Sequence, residues 1–142
     1  MNFNNYTLKS QEAIQQAQEL AQGFGHQQIE NEHIFKALFN VDENVLPFLL
    51  KKLNVNVAML QQIIDATLDS FPKVSGGDIM LSREASKTLN EASIIAKKMN
   101  DDFVSIEHLV LAIFKSKSKI YKINQKINPA WNVKKLSKRV EN

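Results

Sequence analysis

The sequence predicts an all-α domain built from two tandem, pseudo-symmetric four-helix repeats packed into one globule. Three observations carry this. Apolar and small residues recur at helical spacing along most of the chain. A proline- and glycine-containing break divides it near the middle. Residues before the break match residues after it at one constant offset: Thr7 falls on Ser82 and His33 on His108, each 75 positions on.

In the first repeat, about residues 3–70, Leu8, Ile14, Ala17, Leu20, Ala21 and Phe24 form the apolar stripe of the first helix. Thr7 is placed to cap it, because its hydroxyl accepts from free backbone N–H groups of the first turn. Gly23 and Gly25 supply the stop. A second helix is predicted over Glu32–Phe39. A third covers Val45–Leu53, with Pro47 in its first turn, where a missing N–H costs little. A fourth covers Val57–Ser70. The connector, residues 71–81, opens with Phe71-Pro72-Lys73-Val74-Ser75-Gly76-Gly77-Asp78, a run that favours exposed turns.

The pattern then restarts for the second repeat, about residues 82–142. Ser82 caps a helix reaching Met99, striped by Leu89, Ala92, Ile95, Ala96 and Met99. Another helix runs from Ile106 to Lys115. Ile120, Ile123 and Ile127 form one further face. Asn128-Pro129-Ala130-Trp131 interrupts it, with Trp131 as an anchor into the core, and Val133, Leu136 and Val140 suggest a last, basic helix. Two units are too few for an open solenoid, so a closed pseudo-two-fold globule is expected.

Composition excludes several classes. There is no cysteine, so neither a disulfide nor a thiolate site exists. No apolar run approaches the roughly 20 residues that span a bilayer, and Met1-Asn2-Phe3-Asn4-Asn5 does not read as a signal peptide. A cytoplasmic location is expected. Residues 115–142 hold nine Lys or Arg against one acid, Glu141, while the remainder holds nine bases against fourteen acids. Such a split fits a solvated lysine-rich face or a nucleic-acid contact. Nucleic acid is the weaker reading, since no aromatic platform interleaves with the lysines.

Two stretches carry a family resemblance. Ile29-Glu30-Asn31-Glu32-His33-Ile34 follows a helix with paired alanines, and the pattern returns as Val104-Ser105-Ile106-Glu107-His108-Leu109. This doubled hallmark resembles the Clp N-terminal repeat. The opening Phe3-Asn4-Asn5-Tyr6-Thr7 and the connector from Phe71 to Gly77 resemble the ClpB type within that family. The likeness covers roughly residues 3–123. Beyond it, Ile127-Asn128-Pro129 stands where the family continues with a helix start like Leu53-Asn54-Val55.

The resemblance implies the substrate- and adaptor-binding N-terminal domain of a hexameric, ATP-driven protein disaggregase, with unfolded or aggregated polypeptides as clients and the parent ATPase modules as neighbours. A free-standing regulator docking on a Clp ATPase is the alternative. No enzyme activity or cofactor is expected: Gly23, Gly25, Gly76 and Gly77 build no G-x-x-x-x-G-K phosphate cradle. No membrane contact is expected, and the isolated domain should be a monomer.

By the same resemblance, Thr7, Asp101 and Glu107 match the family's substrate groove, with Ile95, Met99 and Phe24 as candidate apolar walls. Each has a plainer role open to it. Thr7 caps a helix, Glu107 and Glu32 sit at the positive end of a helix dipole, Asp101 belongs to a turn, and Ile95 and Met99 fit a core stripe. Glu32 and Glu107 also match acids that recognise phosphorylated arginine in the related ClpC type, a use that the ClpB-like connector disfavours. Glu32-His33 and Glu107-His108 do not read as metal ligands, because adjacent helical residues point to different sides. A structural role is expected for both histidines, and His26 reads as a lone loop histidine.

Overall fold

The computed structural model describes residues 2–52, 54–116 and 119–127. Seven helices lie among them: α1 (Leu8–Phe24), α2 (Asn31–Val41), α3 (Val45–Lys52), α4 (Val57–Ser70), α5 (Arg83–Lys98), α6 (Ile106–Lys115) and α7 (Lys119–Ile127). The fold is all-α, as the periodicity predicts. The expected last helix and the Trp131 anchor fall on residues 128–142, outside the described residues. The second helix is longer than predicted and begins at Asn31.

The predicted caps form. Thr7 Oγ1 accepts from the Ser10 amide at 3.1 Å, and Ser82 Oγ accepts from the Ala85 amide at 3.0 Å. A cap absent from the sequence reading is Asp42, buried, whose carboxylate takes the Leu46 amide at 2.8 Å and so starts α3. The ends of α1 and α5 also correspond. Gly25 and Asn100 are both left-handed, with φ of 74° and 60°, a conformation that glycine and asparagine tolerate best. At each end the following amide turns back to the helix: His26 N–H to the Ala21 carbonyl at 2.8 Å and Asp101 N–H to the Ala96 carbonyl at 2.9 Å.

Two short parallel pairings, not foreseen, tie the halves together. β1 (Gln28–Ile29) pairs with β2 (Met80–Leu81). Tyr6 bridges Val104 in the same parallel sense. The two are equivalent: the Thr7 amide donates to the Val104 carbonyl at 3.0 Å, and the Ser82 amide to the Ile29 carbonyl at 3.0 Å. The lead-in to α1 is therefore held by the lead-in to α6, and the lead-in to α5 by the lead-in to α2. Spacing alone hides this, because two-residue strands carry no readable alternation.

α1 packs on α2 and α5 on α6; α2 meets both α5 and α6, and α7 lies on α4 and α6. Small buried residues, Ala13, Ala17 and Ala21 on α1 and Ala92 and Ala96 on α5, let the helices approach closely. Phe35 and Phe114, both fully buried, meet edge to face with centroids 6.1 Å apart, joining α2 to α6. Leu8 departs from its predicted place on the stripe and is 83% exposed. Nine residues separate it from Ala17, which is two and a half turns, so the two point to opposite sides.

Truncating Phe114 to alanine leaves a cavity at this junction. The expected cost is about 3–5 kcal/mol, read from urea unfolding of the two proteins.

Candidate functional site

The hallmark histidines are built into the chain in the same way. His33 and His108 each occupy the third position of their helix, α2 or α6. The Glu30 amide donates to His33 Nδ1 at 2.9 Å, and the Ser105 amide to His108 Nδ1 at 2.8 Å. Each imidazole thus takes an N–H that the helix start leaves free. With Nδ1 accepting, the hydrogen resides on Nε2. His108 Nε2 donates to Asp101 Oδ2 at 2.7 Å. The left-handed turn at Asn100 places Asp101 for this contact.

Asp101 therefore anchors a turn, yet its side chain stays 47% exposed. Glu107 is exposed one residue before buried His108. Thr7 is half-buried and is held to this segment by the Tyr6–Val104 pairing. The structure thus brings Thr7, Asp101 and Glu107 to one junction between the repeats. Two apolar side chains that the sequence reading did not select also stand there: Leu8, next to Thr7, and Phe103, next to Val104 and 55% exposed. Asp102 is exposed as well. Tyr6 is buried beneath the junction; burial pushes its phenol pKa up, partly offset by a hydrogen bond with Ser93.

The other candidates lie elsewhere. Ile95 is 3% exposed and belongs to the core. Met99 caps the end of α5, half-buried against the same core. Phe24 ends α1, about 25 Å of helix away from Thr7, where its ring stacks on His26 with centroids 5.2 Å apart. Glu32 is buried, so it does not form with exposed Glu107 a pair of accessible carboxylates. His26 is not a lone loop residue: it is buried and sits 2.8 Å from His33. Among the described residues, no three histidines or acids come together as a metal site.

The family follows from comparison with known proteins. The family model described as the Clp repeat N-terminal domain matches residues 5–127, and the chain belongs to that family. The chaperone protein ClpB of Bacteroides thetaiotaomicron is 46% identical over 120 residues, which is 84% of this chain and 14% of the relative's length. The chain therefore corresponds to a small part of that relative. Its fold is similar to the Hsp104 N-terminal domain from Candida albicans, with a TM-score of 0.78, 22% identity and coverage of 94% of this chain and 87% of the other. It is also similar to the ClpV N-domain in a complex with a VipB peptide, with a TM-score of 0.76, 16% identity and coverage of 94% and 83%.

Asp101→Ala leaves the buried Nε2–H of His108 without its acceptor. The expected loss is about 1–3 kcal/mol, against no more than about 0.5 kcal/mol for exposed Asp102→Ala. Denaturant midpoints of the two variants check the difference.

Proposed function

We propose that this chain is the client-binding N-terminal domain of a ClpB-type protein-disaggregating ATPase, acting in the cytoplasm as a non-catalytic capture module. The observation that carries this is the junction at Tyr6 and Val104. Exposed Leu8 and Phe103 flank this bridge along the chain, as do the exposed carboxylates of Asp101, Asp102 and Glu107. An extended client segment offering apolar side chains would cover these two residues. Each large side chain fully removed from water contributes about 1.5–3 kcal/mol before the cost of immobilising the client. The acids favour clients with basic flanks and raise the encounter rate more than they deepen affinity. The backbone beneath is fixed by hydrogen bonds, so little is spent ordering the surface itself. The likeness to the chaperone ClpB relative supports the same reading.

Fluorescence anisotropy with a labelled, permanently unfolded polypeptide tests it. Leu8→Asp combined with Phe103→Asp should weaken binding at least about tenfold, or about 1.4 kcal/mol. Phe48→Asp alters another exposed phenylalanine, on α3, and should leave the affinity unchanged. Equal affinity of all three proteins would sink the assignment, as would binding that disappears steeply with salt in the manner of a nucleic-acid contact.

A further inference from the structure

The two hallmark histidines differ in what lies at Nε2. In the second repeat it is Asp101; at the equivalent place in the first repeat, 75 positions earlier, it is His26. The chain of donors in the first repeat runs in one direction. Glu30 N–H donates to His33 Nδ1, and His33 Nε2–H donates to His26 Nδ1 at 2.8 Å. An added proton has no good place in this relay. On His33 it goes to Nδ1, facing the Glu30 N–H; on His26 it goes to Nδ1, facing the His33 N–H. Either way two donors confront each other in a buried site.

Three other parts of the fold meet the pair. α1 brings the Phe24 ring, stacked on His26. Phe71, at the end of α4, places its ring edge on His26 at 5.4 Å and packs near His33 at 6.1 Å. The connector is tied down by the Val74 amide, which donates to the Gly25 carbonyl at 2.9 Å, one residue before His26. The charged groups acting on His26 are Glu30 ahead of α2, Asp69 on α4 and Lys73 in the connector.

We propose that the His26–His33 pair is an acid-sensitive latch on the connector between the repeats: protonation breaks the relay and frees residues 71–78 from the end of α1.

The electrostatics agree in sign. Burial, reinforced by His26, pushes His33 down to about 4 from its ordinary 6.5. Burial and then Lys73 also push His26 down, against Leu68, Asp69 and Glu30. The unfolded or opened chain therefore takes up protons first as the pH falls. The closed latch is fully favoured above about pH 6.5 and loses that advantage as the pH falls towards about 4. In the second repeat the group at His108 Nε2 is the Asp101 carboxylate rather than a second imidazole, so the conflict between two rings has no counterpart there.

Hydrogen exchange of the whole chain tests this between pH 7.5 and 4.5, after correction for intrinsic exchange. The Val74 amide is compared with the Val104 amide, which bonds to the Asn5 carbonyl at the other junction. Exchange at Val74 relative to Val104 should rise by about tenfold or more as the latch opens. His26→Asp gives the first repeat the pair found in the second and should abolish the rise. A constant ratio in the wild-type chain, or an equal rise in His26→Asp, overturns the proposal. If His26→Asp does not fold, NMR titration of the wild-type imidazoles decides. Val74 opening in step with His26 and His33 supports the latch, and Val74 protection unchanged through their titration overturns it.

Discussion

The fold depends on a reciprocal exchange of backbone hydrogen bonds. The Thr7 amide reaches the Val104 carbonyl, and the Ser82 amide reaches the Ile29 carbonyl. Each repeat thus secures the start of the other's first helix. A backbone donor entering a buried region must find an acceptor, and here it finds one only across the repeat boundary. That requirement fixes where α1 and α5 begin. Helix length and the left-handed turns at Gly25 and Asn100 then fix where the following segments return. The alanine-rich faces of α1 and α5 close on α2 and α6 in that register.

The same framework carries two unlike chemistries. At the junction of Tyr6 with Val104, large apolar side chains and acids stand in solvent over a buried tyrosine. At the equivalent junction, where Leu81 meets Ile29, the corresponding places hold Arg83 for Leu8 and Gln28 for Phe103. The carboxylate that matches Glu107, Glu32, is buried. Duplication supplied two copies of a backbone solution, and the side chains at its surface then diverged. The Val104 junction exposes Leu8 and Phe103, whereas the Ile29 junction exposes Met80.

Much of this was legible in the sequence. Thr7 and Ser82 as caps, Gly25 as a stop and the span of α4 followed from local rules that need no tertiary knowledge. The 75-residue offset exposed the duplication. What was hidden required the third dimension. Strands of two residues give no alternation, so the exchange at Val104 and Ile29 could not be read. Leu8 reads as part of the buried stripe because it is apolar, although its angular position opposes Ala17. His26 looked isolated because its partner is seven residues away, beyond a helix boundary. A signal did exist: the offset sets His26 on Asp101, and a position holding two hydrogen-bonding side chains before two hallmark histidines marks a shared contact. Phe24 stands apart from the other groove candidates for a simpler reason. It shares a helix with Thr7 but stands at the other end.

The exchanged lead-ins have a topological consequence. The described halves are clasped, each gripping the other's leading edge, while the covalent link between them is an exposed loop around Ser75, Gly76 and Gly77. Chain continuity at that loop is therefore the least demanding of the ties between the halves. Cut there, the two pieces would still present complementary edges and a common apolar interior, and would be expected to find each other as separate molecules. The domain is in effect two interlocked pieces that happen to share one polypeptide.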